Sequence, residues 1–401
     1  MHSLRVKPIP GPTEDDLVAK AAAMIPVLKS RADACEAART MAPETIQDFR
    51  DAGFFKIMQP HSYGGYQMSP LTLVRVVFEI GRGDMAAAWV MFVLGLHQFE
   101  PPLIGEAACE AIWGDDADTL MASSLAPFGE ATKVEGGYRV TGRWKFCSGV
   151  DHVQWVGVGA LAPLGDIGQK GMRVFMVRKP DFEIQEGSWQ TFGLCGTGSK
   201  DVVIDHAFVP EEMTHDLTKT MTLEGQDSLP PVYRFPFWVV YNAVLASAIV
   251  GGALGGLDEV VSQMRVRKSS HDSGSGRAAA ADDPFVRVRI GRGAVLLRGA
   301  VNRFEMMFNR MERQIQRGET ISTMDRMLYM AELGQCGKDA EDATLLLYKA
   351  TGGRGLSLDN NMQAVLRNVL SGANHIAMNV DPISANLGAT MLGVEGLRVP
   401  H

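Results

Sequence analysis

Gly136-Gly-Tyr-Arg-Val-Thr-Gly-Arg-Trp-Lys-Phe-Cys-Ser-Gly149 reads as a strand bracketed by glycines, and Val150-Asp-His-Val-Gln-Trp-Val-Gly-Val158 follows as a second apolar run. Strict alternation puts Trp144, Phe146 and Ser148 on one face and Lys145, Cys147 and Gly149 on the other. A hydroxyl at the end of an aromatic-lined strand can meet a flat heterocycle lying against that face. The same pattern suits an ordinary sheet strand whose last Ser bonds the backbone. The stretch therefore sets the local structure and leaves the ligand open.

Outward from it, β-rich runs at 119–124, 131–135, 138–148, 153–161, 172–178, 182–189 and 202–209 alternate with Gly and Pro turns. That spacing predicts a small antiparallel sandwich or barrel. Before it the texture is helical: one Ala-rich helix over 15–40 started by a Thr13–Asp16 capping box, then 44–52 with Pro43 in its first turn. A turn-rich break at 59–66 precedes helices at 70–81, 84–99 and 104–113. After it, helices are predicted near 233–268, 283–317, 321–350, 360–371 and 375–391, with 269–276 a flexible Gly/Ser connection. The expected class is α+β, mostly α. It comprises an N-terminal helical domain (1–118), a central β domain (119–215) and a C-terminal four-helix bundle (216–401).

A chain of 401 residues, 46% hydrophobic, can bury a large core. A net charge of −7 without a dense Lys/Arg tract argues against nucleic acid and anionic membrane surfaces as partners. The run Phe237–Gly251 reads as too short and interrupted for a membrane span, and residues 1–10 lack the apolar core of a signal peptide. Cysteines 35, 109, 147, 195 and 336 are scattered without CxxC pairing, as expected of free thiols in a reducing cytoplasm. HExxH and Gly-x-Ser-x-Gly are absent, which removes the usual zinc and esterase readings. No strand–GxGxxG–helix or Walker pattern exists, so the chain shows no nicotinamide site of its own. Asp151 and His152 are neighbours on an extended run and point apart, so they form no dyad.

The order helices, β domain, helices resembles the acyl-CoA dehydrogenase superfamily across nearly the whole chain. The 136–149 strand is similar to the one facing the flavin ring in that superfamily. Gly193-Leu-Cys-Gly-Thr-Gly-Ser199, with Asp201–Pro210 after it, resembles its closing hairpin. Gly352-Gly-Arg-Gly355 and Arg367 resemble the loop and helix that complete a flavin site across subunits, which implies a homotetramer. Dehydrogenases of the superfamily need a carboxylate base, often in a Glu-Gly-Thr motif. Here Ser371-Gly-Ala-Asn-His-Ile-Ala-Met-Asn379 carries no Glu, and His375 stands near its place. The Phe-x-Ser-Gly strand, His97 after Trp89-Val, and a late His are together similar to the flavin-dependent monooxygenase branch. That branch includes the oxygenase components of two-component hydroxylases acting on hydroxyphenylacetate and on a phenolic steroid intermediate.

The resemblance implies reduced FMN or FADH2 as cofactor, O2 as co-substrate, an NAD(P)H-dependent flavin reductase as partner and a small aromatic substrate. It implies a C4a-hydroperoxyflavin protected from water, with Ser148 as the hydroxyl at flavin N5 and Phe146 and Trp189 as aromatic neighbours. Ser123 and Ser124 fall where the superfamily meets the flavin pyrimidine edge. Arg267 and the Gly352-Gly353 turn fall near its phosphate, although a basic helix end explains Arg267 equally well. His375 is the expected acid/base, since a neutral imidazole can take a phenolic proton. His97 on an apolar helix lines the substrate cavity or is a satisfied core histidine, and both stay open. Trp89, eight residues earlier, and Asn374 and Asn379 beside His375 are pocket candidates, with packing and capping as the alternatives. An acyl-CoA dehydrogenase with bound FAD, and a sulfur or nitrogen oxygenase on the same fold, remain the rival readings.

Overall fold

The Thr13 hydroxyl accepts from Asp16 N, and the Asp16 carboxylate accepts from the Thr13 backbone N–H, so the capping box forms as the residues predict. The computed structural model, which describes residues 11–163, 170–267 and 279–394, starts here. The single helix expected over 15–40 is two helices, α1 (Glu14–Ala23) and α2 (Ile25–Ala38). Pro26 lies in the first turn of α2, where its missing N–H costs nothing, and it prevents the two from continuing as one. The remaining N-terminal helices are α3 (Pro43–Ala52), α4 (Pro70–Gly83), α5 (Met85–Leu96), α6 (Pro101–Ile104) and α7 (Glu106–Trp113).

Seven strands form one sheet: β1 (Met121–Val134), β2 (Gly137–Cys147), β3 (Trp155–Pro163), β4 (Lys170–Arg178), β5 (Glu183–Gln185), β6 (Lys200–Pro210) and β7 (Thr214–Asp216). Their order is β5-β6-β2-β1-β3-β4-β7. The sheet is mixed rather than wholly antiparallel. After β2 the chain crosses to the far side of β1, so β3 runs parallel to β1 (Met121↔Trp155) while every other pairing is antiparallel. The run 182–189 contributes only three strand residues.

Beyond the sheet lie α8 (Leu217–Thr222), α9 (Phe237–Val266), α10 (Pro284–Gln316), α11 (Thr323–Thr351), α12 (Asn361–Ala373) and α13 (Val380–Leu392). The Gly/Ser connection at 269–276 falls outside the described residues. One helix, α9, is long and apolar enough to cross a membrane by length and composition, which corrects the expectation for this run. Its apolarity has another cause: 83% of its most apolar window is buried within the protein. It packs against α4 at glycine-to-glycine distance, and a Cβ on Gly81 would sit 2.9 Å from Gly251 Cα. Small residues at both positions let the two backbones approach, which holds α4 and α5 against the C-terminal helices.

Candidate active site

Asp84 caps α5 by accepting from Ala86 N (3.0 Å) and Ala87 N (3.2 Å), and every residue of the helix is buried. This helix carries Trp89 in its second turn and ends at His97. Trp89 donates its indole N–H to Ser148 Oγ (3.1 Å) and packs edge-on to the His375 ring at 5.9 Å between centroids. Three predicted residues from three distant segments thus meet at one place.

The strand leading to Ser148 does not alternate as expected. Trp144 is buried and donates to Gly159 O, whereas Phe146 is 60% exposed. The β2–β6 register shifts between Trp144 and Cys147, and Phe146 sits at φ +64°. A bulge of this kind re-aims side chains, so Phe146 turns away from Trp144 and stands edge-on to Trp189 at 6.1 Å. Ser148 lies just past the strand end, buried. Its hydroxyl is shared with Ser199 (2.7 Å), Ser199 with Thr197 (2.6 Å), and Thr197 donates to Leu194 O (2.8 Å). Each hydroxyl has one proton, so the chain has one direction: Trp89 N–H to Ser148, Ser148 to Ser199, Ser199 to Thr197, Thr197 to the carbonyl.

His375 caps the short 3₁₀ turn 376–378, its Nδ1 accepting from Ala377 N (3.2 Å). In the neutral ring Nε2 therefore carries the proton, and the lone pair that would take a phenolic proton is already engaged. Burial pushes the ring down to about 4. His375 is thus a neutral donor at working pH. A histidine whose folded value is depressed stabilises the fold above its unfolded value and loses that contribution as pH falls. Stability should therefore decline between about pH 6.5 and 4, and His375→Gln should flatten that part of a denaturation-midpoint profile. An unchanged slope would show that the ring titrates freely.

His97 has the geometry His375 lacks. Its Nδ1 lies 2.7 Å from Glu100 Oε2 and its Nε2 lies 2.6 Å from Ser123 Oγ. Glu100 Oε1 is 2.6 Å from His215 Nδ1, and His215 Nε2 is 2.6 Å from Thr220 Oγ1. His97, Glu100 and His215 are almost wholly buried, and Ser123 is the half-buried end of the series. Burial would raise the Glu100 carboxyl, but the bonds to His215 and His97 bring it below the ordinary carboxylate range, so it is ionised. Sequence reasoning missed Glu100 and His215. A Glu three residues after His97 in an otherwise apolar stretch was the available signal for the first; His215, 115 residues further on, gave none.

An aromatic wall joins the two polar groups: Trp89 to Phe92 (5.7 Å), Phe92 to Tyr241 (5.3 Å), Tyr241 to Phe237 (6.2 Å) and Phe237 to His215 (5.4 Å). Beside it, Asn242 donates to Ala377 O near His375 while its buried Oδ1 has no partner. Trp238, one turn away on α9, has a buried N–H without a partner.

Residues 16–104 match the N-terminal domain of acyl-CoA dehydrogenases, and residues 243–380 match their C-terminal domain. The flavin-dependent monooxygenase oxygenase subunit HsaA of Rhodococcus jostii (strain RHA1) is 32% identical over 275 residues, covering 67% of this chain and 70% of that one. The chain belongs to the flavin-dependent monooxygenases of the acyl-CoA dehydrogenase superfamily. This oxygenase component is also 28% identical to the FADH2-dependent resorcinol hydroxylase oxygenase component of Rhizobium sp. (strain MTP-10005), over 98% of this chain and 99% of that one. The crystal structure of 3-HSA hydroxylase from Rhodococcus sp. RHA1 superposes with a TM-score of 0.88 at 26% identity, covering 95% of this chain and 98% of that one. An oxygenase component of this kind works with a separate reductase. Proteins of this fold are known with FADH2 or FMN bound.

The residues of this oxygenase fit a flavin. Exposed Phe146 beside Trp189 offers an aromatic face, and Ser148 lies two residues beyond. Arg267 and Arg354 form no ion pair among the described residues; burial and the Arg354 charge both lower the Arg267 guanidinium from its usual range. Arg267 donates to Thr351 O, Gly352 lies at φ +61°, and the Gly353 Cβ position is open. Two unpaired cations at a glycine turn suit a phosphate.

Other predicted cofactor residues are committed elsewhere. The Ser124 hydroxyl donates to Lys145 O, and Ser123 serves His97. Arg367 ties α12 to Phe192 O and Glu36 and also bonds Gln363 one turn earlier in the same helix. Trp189 donates to Leu194 O and Cys195 O, so its N–H is structural while its ring flanks Phe146. Asn379 caps α13, and Asn374 is exposed at the end of α12.

Proposed function

We propose that this oxygenase hydroxylates a ring carbon of a small phenol, with His97 rather than His375 taking the phenolic proton through Ser123. The observation that carries this is the Ser123–His97–Glu100 series at 2.6 and 2.7 Å, a hydroxyl and an imidazole oriented by a buried carboxylate. Removing the phenolic proton raises the electron density of the ring carbon that meets oxygen, a gain that attack on sulfur or nitrogen does not need. The resorcinol and p-hydroxyphenylacetate hydroxylases among the relatives take phenols. When bound, reduced FMN or FADH2 would supply the two electrons that activate O2, from which the transferred oxygen atom comes. The protein's part is to place Ser148 and the aromatic wall around it and to exclude water. His375, a neutral donor, orients the substrate together with Trp89 and Asn374.

An NAD(P)H-dependent flavin reductase is the proposed electron source. A homotetramer is supported by Phe285, Val288, Val295 and Met306, which expose an apolar stripe along one side of α10. Five unpaired, buried thiols support a cytoplasmic location. The test is stopped-flow mixing of the protein and reduced FMN or FADH2 with oxygenated buffer, followed by product analysis with simple phenols and their methyl ethers. An absorbance transient outlasting oxidation of free reduced flavin, with product from phenols alone, is the expected result. Bleaching of a tightly bound oxidised FAD by acyl-CoA thioesters would overturn the reading.

A further inference from the structure

The two oxygens of Glu100 are spent on two imidazoles from distant elements, His97 at the end of α5 and His215 in the edge strand β7. We propose that Glu100 and His215 are positioning residues that hold His97 in the tautomer with Nδ1–H toward Glu100 and a bare Nε2 toward Ser123, making the buried group a store for one substrate proton. This inference rests on the reading of Ser123 and His97 as the phenol-facing pair.

The proton count follows from the distances. An ionised carboxylate accepts only, so both Nδ1 atoms donate to it. The Thr220 hydroxyl has one proton and two candidate acceptors, His215 Nε2 at 2.6 Å and Asp216 O at 3.3 Å. In this assignment it goes to the shorter contact, with His215 Nε2 as the acceptor and the ring neutral. Ser123 likewise donates to His97 Nε2 at 2.6 Å and has its own lone pairs free for a phenol O–H. The resting group is two neutral imidazoles and one carboxylate, a net charge of −1 in a buried place.

A proton leaving the phenol for Ser123, while the Ser123 proton passes to His97 Nε2, brings that charge to zero. A lone buried charge costs more than a pair, so the group favours the transfer. When the ring regains aromaticity it releases the proton of the hydroxylated carbon, the stored proton returns to the product oxygen, and the group ends as it began. The other groups facing Glu100 support this assignment. Tyr241 of α9 is pushed up by burial and by the Glu100 charge, so it stays a neutral phenol. Asp216, next to His215, is already paired with Arg173 at 3.2 Å.

The test uses 4-nitrophenol, whose phenolate is coloured, bound to the full-length protein without flavin. In the wild type the bound probe should ionise at lower pH than in free solution. Glu100→Gln and His215→Asn should each cut the ionisation constant of the bound probe by about tenfold or more, with a smaller change in its affinity. Should these two variants change affinity alone, Glu100 and His215 are structural and the inference is overturned. If instead Ser123→Ala and His97→Asn also leave the bound probe unmoved, or the wild type binds no phenolate, the phenol-pocket reading itself fails. Nitrogen-15 spectra of the histidine-labelled wild type give a second answer that needs no variant to fold. A protonated Nδ1 and bare Nε2 on His97 are expected, and the opposite tautomer would overturn the inference.

Discussion

Replacing Ser148 with alanine is expected to leave reduced flavin bound while most of the oxygen consumed emerges as hydrogen peroxide. The Ser148 hydroxyl is the second link of a directed chain from Trp89 through Ser199 and Thr197 to Leu194 O. A hydrogen bond at a buried site is worth roughly 1–3 kcal/mol when one partner is left unmatched, and about 1.4 kcal/mol is tenfold in rate. Product formed per reduced flavin should therefore fall about tenfold or more. The same change strands the buried Trp89 N–H, so the denaturation midpoint should drop as well. Ser199→Ala keeps the Ser148 hydroxyl but removes the acceptor of its proton, and its coupling should fall between wild type and Ser148→Ala. Product and peroxide yields measured with excess oxygen check the series. Unchanged coupling in Ser148→Ala would confine that residue to packing.

His97→Asn should abolish hydroxylation of a phenol, with product formation down about 100-fold or more, the usual scale for a positioned acid or base. The asparagine amide can occupy the place of Nδ1 and keep a donor on Glu100, so the carboxylate is not left bare. What disappears is Nε2, the atom 2.6 Å from Ser123. Flavin binding and oxygen consumption should persist, which separates a lost proton acceptor from a collapsed site. His375→Gln should be much milder, because the His375 lone pair already accepts Ala377 N–H. If His375→Gln silences phenol hydroxylation while His97→Asn spares it, the two assignments must be exchanged.

The residues that local chemistry governs were readable in order. Thr13 and Asp16 form their box, the strand ending at Cys147 lies in the glycine-bracketed run that predicts it, and Ser148 and Trp89, both site candidates in the sequence, share a hydrogen bond. Errors came where a local rule met a distant partner. Phe146 left the predicted face because pairing with β6 forces a bulge. The place of His375 in the chain does not show that one of its nitrogens accepts a backbone N–H two residues on. The run at 237 reads as too short and interrupted for a membrane span, whereas its Gly and Ala residues belong to one long helix packed closely against α4, which no single window of sequence reveals.

The sequence alone determined the order of helices and strands and the placing of a hydroxyl after an aromatic strand, since each depends on neighbours within a few residues. Tertiary structure decided which histidine meets a buried carboxylate and which meets a backbone N–H. His97 and His215 lie 118 positions apart and become one group only because Glu100 is buried between them. A carboxylate held out of water must find its donors wherever the fold brings them, and that choice belongs to three dimensions.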